Sequence, residues 1–296
     1  MLENKYIDPF NGIEDIKSKL IRMTSESFVE DPLRVYRVAR FASTLNFEVE
    51  ENTIRQMEKL KSELNTLPKE RIFNEFRKAL AGNQPSKFFN VLRKANVLDV
   101  HFREIENLIG KIQPEKYHPE GDSYNHTMIV VDTSCKLTQR LETRFSCLVH
   151  DLGKGTTPRE MLPHHYGHED RGERLVVTFG NRIGTPKSWI KCGKIAAKEH
   201  MKGGKFNEMS PKKQLEFIEK VDKSLLGLDG MKTVVMCDKY RDGKYPESVV
   251  FNIIGKECLE TINGKYIIEK YHIKDGIQIK SKLHEERINW IKNKLN

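Results

Sequence analysis

His150 and Asp151 are adjacent in the run Cys147-Leu-Val-His150-Asp151-Leu-Gly-Lys154-Gly155. An imidazole and a carboxylate side by side at the end of an apolar helical stretch can both ligate one divalent cation. Such ions need several nitrogen or oxygen donors converging within about 2.0–2.6 Å. In a helical chain those donors must come from different helices, so they lie far apart in sequence. His126, on the preceding helical segment, and Asp238, far downstream, complete a four-ligand set of that kind. A cation held there would lower the pKa of a water and neutralise charge on phosphoryl oxygens, the two requirements of phosphate-ester hydrolysis. Lys154, one helical turn beyond His150, could hold a phosphate oxygen as a point charge.

A second group of histidines follows: His164, His165, His168 and His200. By resemblance to two-metal enzymes with an adjacent His-Asp dyad, which carry extra histidines between the dyad and the last Asp, His168 and His200 could take a second cation, and two cations would bridge the attacking and leaving oxygens. His165 is a candidate proton donor to a leaving alkoxide, or an additional ligand. His164 is a loop neighbour, and Cys237 beside Asp238 is a core residue. Arg241 fits a phosphate clamp and a solvated side chain equally. A lone histidine is ordinarily a surface or satisfied core residue. The weight therefore rests on the string HDLGKG with its upstream and downstream partners.

The elements that must position these residues are helical. Val35, Val38, Ala39 and Ala42 form one apolar stripe at i, i+3, i+4 and i+7. Pro68 opens a helix through Leu80, and Pro85 opens another with Phe88, Phe89 and Leu92 on its core face. Gly110 to Gly121, with two prolines, has the composition of a linker, and the main boundary is expected near residue 115. Helices are expected over about 122–137, 141–150, 167–179, 186–200, 211–222, 228–240 and 246–261. A short loop and an amphipathic helix then fill 264–294. At the start, Tyr6-Ile7-Asp8-Pro9-Phe10-Asn11-Gly12 suggests a strand end and turn, with a helix through Arg22. The expected fold is therefore mainly α, a helical neck and body before a second all-α unit, with a short β remnant at the N-terminus. The expected divisions are 1–25, 26–115 and 116–296.

The chain of 296 residues is long enough for a sizeable core. Charged residues make up 31% and the net charge is +9, which suits a polyanionic partner such as RNA as readily as none. Its five cysteines are scattered without a CxxC pair, so neither a disulfide framework nor a zinc ribbon is expected. No long apolar run or signal peptide is seen. The expectation is a cytoplasmic protein without membrane contact.

The order H…HD…D is the ligand pattern of the HD phosphohydrolase superfamily. A closer resemblance is carried by Asp8-Pro-Phe-Asn-Gly-Ile-Glu-Asp15, Glu30-Asp31-Pro-Leu-Arg34-Val-Tyr-Arg37-Val-Ala-Arg40, Glu70-Arg71-Ile-Phe-Asn-Glu75, His118-Pro-Glu-Gly-Asp122-Ser-Tyr-Asn-His126, His150-Asp-Leu-Gly-Lys-Gly and His164-His-Tyr-Gly-His168, in that order. Together these motifs resemble the bacterial CCA-adding tRNA nucleotidyltransferases of the multifunctional type, over nearly the whole chain. In that family nucleotidyl transfer resides in an N-terminal head with DxD, Gly-Gly and Arg-Arg-Asp motifs. Neither DxD nor Arg-Arg-Asp occurs, the one Gly-Gly pair (Gly203-Gly204) lies far from where such a head would be, and residues 1–22 match only the end of the head. The resemblance therefore implies that this chain alone does not add CCA.

The same resemblance implies that Asp31 and Arg34, with Arg37 and Arg40 beside them, contact the incoming CTP or ATP. At i and i+3, Asp31 and Arg34 would be neighbours on one helical face, and the structural alternative is an intrahelical ion pair. Arg71 and Glu75 would support the neck. For the HD part the resemblance implies 2′,3′-cyclic phosphodiesterase, 2′-nucleotidase or phosphatase activity at tRNA 3′ ends. The cofactor would be Ni²⁺, Mn²⁺ or Mg²⁺, and the imidazole-rich donors favour a transition metal. Two readings stay open: a phosphohydrolase, or the tRNA-binding, nucleotide-templating half of a split enzyme whose head is a separate polypeptide. Apolar surface left by an absent head could also mark a homodimer interface.

Overall fold

Prolines at the starts of α-helical segments and a few side-chain caps mark several helix starts in the computed structural model, which describes residues 6–240, 243–244 and 249–295. Fifteen α-helices occur among them. The first six are α1 (Gly12–Lys17), α2 (Leu33–Leu45), α3 (Glu51–Lys59), α4 (Lys69–Leu80), α5 (Pro85–Lys94) and α6 (Leu98–Glu106). Next come α7 (Ser123–Leu137), α8 (Leu141–Val149), α9 (His168–Arg182) and α10 (Lys187–Gly204). The last five are α11 (Pro211–Asp222), α12 (Gly227–Asp238), α13 (Val250–Thr261), α14 (Gly264–Tyr271) and α15 (Gly276–Leu295). Two short strands, β1 (Leu20–Ile21) and β2 (Glu48–Val49), pair in parallel. The mainly α architecture is the expected one. Among the described residues no helix is long and apolar enough to cross a membrane.

Three local readings are corrected. The N-terminal helix stops at Lys17 because Lys19 turns through the left-handed region (φ 52°) and releases the chain into β1. Residues 6–8 are not a strand. Asp8 instead accepts hydrogen bonds from the Gly12 and Ile13 amides (2.7 and 2.8 Å) and so satisfies two free donors at the start of α1. Near the C-terminus, where a short loop was expected from residue 264, Asn263 caps a helix. Its side chain accepts from the Tyr266 amide, and α14 replaces part of the expected loop.

The core has two apolar clusters that share three helices. In the first, α2 to α6 pack onto α7, α8, α9 and α10, and the predicted stripe of Val35, Val38, Ala39 and Ala42 is buried. In the second, Val130 of α7, Cys147 of α8 and Cys192 and Ala196 of α10 meet α11, α12, α13 and α15. Helices α7, α8 and α10 are therefore held from both sides. Arg144 of α8 is a buried tie between these parts. Its guanidinium donates to the carbonyls of Leu80, Gly82, Cys135 and Thr138 and to the Gln139 side chain.

Phe102 lies at the centre of the first cluster. Its ring is 5.5–6.1 Å from those of Tyr36, Phe76, Phe88, Phe89 and Phe179, so it joins the neck helices to α9. Truncating a fully buried Phe of this kind costs about 3–5 kcal/mol. Phe102→Ala is expected to lower stability by that amount in urea or thermal unfolding, whereas Phe41→Ala, at an exposed ring, changes it little.

Candidate metal centre

The six donors expected from the sequence come together at helix ends. His126 sits in the first turn of α7, whose cap, Asp122, accepts from the Asn125 amide. His150 closes α8 and Asp151 follows it directly. His168 is the first residue of α9, His200 lies in the last turns of α10, and Asp238 is the last residue of α12. Each of the five imidazole- or carboxylate-bearing elements therefore contributes a short, rigid approach to one point.

The donors form two sets that share Asp151. In the first, His126 Nε2 and Asp238 Oδ1 are 3.1 Å apart, His150 Nε2 and Asp151 Oδ2 3.2 Å, His150 Nε2 and Asp238 Oδ1 3.6 Å, and His126 Nε2 and Asp151 Oδ2 3.7 Å. In the second, Asp151 Oδ1 lies 3.4 Å from Nε2 of both His168 and His200, which are 3.5 Å from each other. Donors about 2.1 Å from one ion at tetrahedral or octahedral angles sit about 3.0–3.4 Å apart, so both sets have the spacing of a ligand shell.

The orientation of the rings fits the same reading. Carbonyl oxygens can only accept, so Nδ1–H donates from His150 to Cys147, from His168 to His165, and from His200 to Ala196 and Ala197. In the neutral ring each Nε2 would then turn its lone pair toward the centre. Asp151 is fully buried, yet apart from the ion pair of Oδ2 with Lys154 (2.6 Å) neither carboxylate oxygen makes a well-formed hydrogen bond, nor does His150 Nε2. Buried polar atoms without partners are rare, and a divalent cation would satisfy all three.

Gly153 explains the HDLGKG string. A Cβ there would lie 1.9 Å from the His168 carbonyl and 2.6 Å from the Gly172 amide. Only glycine lets the Asp151 turn touch the start of α9, and that contact puts His168 beside Asp151.

The segment expected to be a linker is instead a wall of the centre. Ile112 and Asp122 form a β-bridge, and Asp122 accepts from the Gly110 amide as well as capping α7. Gly121 supplies the φ of 99° that the turn requires. From this wall Gln113 accepts from the buried Lys154 ammonium (2.7 Å), which also lies 2.6 Å from Asp151 Oδ2. Glu120 Oε1 accepts from Nδ1 of His126 (2.6 Å) and of His118 (3.0 Å). Gln113, His118 and Glu120 were given no role from sequence. The one signal was an acid six residues ahead of a ligand histidine, across a glycine turn.

The other candidates fall out as follows. His165 has both ring nitrogens engaged. Nε2–H donates to the Ile112 carbonyl and Nδ1 accepts from the Thr157 hydroxyl. Burial, then the nearby Lys154 charge, pushes its pKa down to about 4, so the ring is neutral at pH 7. His164 is exposed and stacks on Tyr166. In the neck, Asp31 precedes α2 in extended backbone, so it and Arg34 do not share a helical face as expected, and the alternative of an intrahelical ion pair does not form either. Asp31 pairs with Arg71 (3.2 Å) and Arg34 donates to the Ser27 carbonyl. Arg40 pairs with Glu75 (2.6 Å) and lies over the Phe41 ring, while Arg37 is exposed. Arg71 and Glu75 thus brace α4 against α2. Arg241 lies outside the described residues.

Burial opposes charge throughout the centre, and neighbouring groups overrule it. Asp151 is held well below the usual carboxylate range by His150 and Lys154, and Asp238 by His126 and His150. Burial lowers the His150 pKa, but Asp151 and Asp238 together push it up to about 10. Without a cation His150 therefore keeps a proton at neutral pH, and a cation must displace it. Binding is expected to release about one proton between pH 6 and 9, with affinity rising about tenfold per pH unit. Calorimetry in buffers of different ionisation enthalpy checks this, and pH-independent affinity would contradict it.

Comparison with known proteins places this geometry in a family. Residues 123–224 match the family described as HD domain, and residues 46–109 that described as probable RNA and SrmB-binding site of polymerase A. The chain is 34% identical over 293 residues to a multifunctional CCA protein of Mannheimia succiniciproducens, covering 93% of this chain and 70% of that one. It is 35% identical over 294 residues to that of Thioalkalivibrio sulfidiphilus, covering 90% and 70%. Its fold is similar to that of a Thermotoga maritima CCA-adding enzyme solved with tRNA (TM-score 0.61, 18% identity, 98% of this chain and 68% of that one). A CCA-adding enzyme solved with ATP gives TM-score 0.61 at 18% identity, and the chain spans 61% of its length. By its identity and coverage against these relatives, the chain belongs to the family of multifunctional CCA proteins.

Proposed function

We propose that this chain carries a metal-dependent phosphohydrolase of the HD type, acting on 2′-phosphate or 2′,3′-cyclic phosphate ends of tRNA. The observation that carries the reading is Asp151, a fully buried carboxylate whose two oxygens face two separate sets of imidazoles. His126, His150, Asp151 and Asp238 would hold one divalent cation, and Asp151, His168 and His200 a second. When bound, the cation supplies an acidified water and neutralises phosphoryl charge. The four imidazoles favour Ni²⁺ or Mn²⁺ over Mg²⁺ on ligand softness. Lys154 orients Asp151 from one side and keeps a positive charge within reach of an anionic ester. His165, with both nitrogens committed, anchors the wall segment at Ile112 and is not our choice for the proton donor. The division of roles at about residues 25 and 115 belongs to the same proposal, although one apolar core runs across the second boundary.

Purified protein with added Ni²⁺, Mn²⁺ or Mg²⁺ is expected to hydrolyse 2′,3′-cyclic AMP and bis(p-nitrophenyl) phosphate. Asp151→Ala should fall to the rate of metal in buffer, and chelation should do the same to wild type. Equal turnover by wild type and Asp151→Ala sinks the reading.

A second reading gives the neck to tRNA and to CTP or ATP, in concert with a nucleotidyl-transferring head. It is favoured by exposed Arg37 beside the Arg40–Phe41 stack, which offers a cation and a ring to a nucleotide. No DxD motif occurs in the 296 residues, so we do not assign nucleotidyl transfer to them alone. Arg37→Ala is expected to weaken tRNA or nucleotide binding about 3- to 10-fold in fluorescence titrations at low salt, without changing hydrolysis of small phosphodiesters. Unchanged binding would remove this reading's support.

A further inference from the structure

His126 is held differently from the other ligand histidines. His150, His168 and His200 each donate Nδ1–H to a main-chain carbonyl three or four residues back. His126 has no such bond. In its place Nδ1 meets a carboxylate, Glu120 Oε1, at 2.6 Å, from a segment outside the helices. We propose that Glu120 is a positioning residue of the metal centre. Acting through the Nδ1–H of His126, it fixes which nitrogen faces the cation and where that nitrogen points. The inference rests on the reading that the centre takes a divalent cation.

Several observations converge on this role. Glu120 can only accept, so Nδ1 carries a proton, and Nε2, 3.1 Å from Asp238 Oδ1 and 3.7 Å from Asp151 Oδ2, is the nitrogen that would face a cation. A negative acceptor also makes the imidazole a stronger donor to a cation than a carbonyl does. Glu120 cannot reach the same cation itself, because the two ring nitrogens face away from each other. Nor is the His118–Glu120–His126 group better read as a separate ion site. A donor-to-donor distance of 2.6 Å is that of a direct hydrogen bond, shorter than the edge of a ligand shell.

The position of Glu120 is itself over-determined. The Glu120 side chain is only 10% exposed. His118 donates to the same oxygen at 3.0 Å, and its ring stands edge-on to that of His126 with centroids 4.8 Å apart. The next residue, Gly121, makes the left-handed turn into Asp122, which is tied both to α7 and to Gly110. The carboxylate thus transmits the backbone geometry of residues 110–122 to one metal ligand. His126 is the ring that needs it, because the carbonyls three and four residues back, Ser123 and Asp122, already accept from the Thr127 hydroxyl and the His126 amide.

The experiment is a Co²⁺ titration of the full chain, followed by visible absorption and by proton NMR of the cobalt-loaded protein. Wild type should bind Co²⁺ and show an exchangeable, hyperfine-shifted Nδ1 proton from His126. Glu120→Ala should bind about 10–100-fold more weakly, shift the d–d bands and lose that proton signal to solvent exchange. Glu120→Gln keeps an acceptor of the same shape without the charge, so it should retain the proton signal and lose less affinity. It also covers the case in which Glu120→Ala does not fold, which a thermal melt reports. Wild-type affinity, bands and proton signal in Glu120→Ala, or in Glu120→Gln with no change in affinity at all, overturn the inference alone. Wild type that binds no Co²⁺ overturns the metal reading and this inference with it.

Discussion

A carboxylate buried without solvent is the constraint on which the rest of the molecule depends. Moving an ionised Asp out of water costs several kcal/mol unless charge and hydrogen bonds replace the lost hydration. Around Asp151 the replacement is asymmetric. Lys154 lies against one oxygen, and imidazoles of four different helical segments surround both. Neutral imidazoles with their Nδ1 protons pinned elsewhere can offer only lone pairs, and lone pairs facing a carboxylate repel it. Something positive must stand between them. Protons can do so, which is why His150 is driven to hold one. A divalent cation does it with more charge in less space and satisfies His150, Asp151 and Asp238 together.

Helix ends are the means by which the fold meets that constraint. A side chain in mid-helix can reach a common point only if the helix axis passes close by, and six such axes cannot pack around one ion. Donors at the ends of α7, α8, α9, α10 and α12 avoid the crowding, since one turn of each helix suffices. The scaffold must then stop those ends from drifting. Sharing α7, α8 and α10 between two apolar clusters does this, because a slide that relaxes one cluster disturbs the other. Gly153 removes the last obstacle by letting the Asp151 turn and the start of α9 meet at backbone contact.

What the sequence disclosed follows from what sequence patterns encode. The apolar stripe of α2 and the prolines before α4, α5 and α11 act locally, so those helices could be placed with little error. The cluster of His and Asp side chains was legible because metal chemistry restricts residue type. Histidines and aspartates at helix ends stand out in a helical chain. Three things were not legible. Strands of two residues, such as β1 and β2, carry no period to detect. Asp31 and Arg34 have helical spacing but lie on either side of a helix start, so spacing alone mispaired them. Loop 110–121 has linker composition, and its packing depends on contacts with residues up to 53 positions away, such as the Ile112 carbonyl with His165.

That loop changes where the centre ends. All six donors fall within or just beyond residues 123–224, the span of the HD match, with Asp238 the one outlier. Their orientation does not. Glu120 aims His126, Gln113 holds Lys154, and the Ile112 carbonyl takes the His165 proton, all from the stretch between the two matched regions. That stretch is in turn anchored at Gly110, immediately after α6 and the Phe102 cluster. A fragment cut at residue 123 would keep every metal donor and lose the residues that orient one ligand and the neighbouring lysine. The residues that orient these side chains therefore reach back to Gly110, sixteen positions before His126.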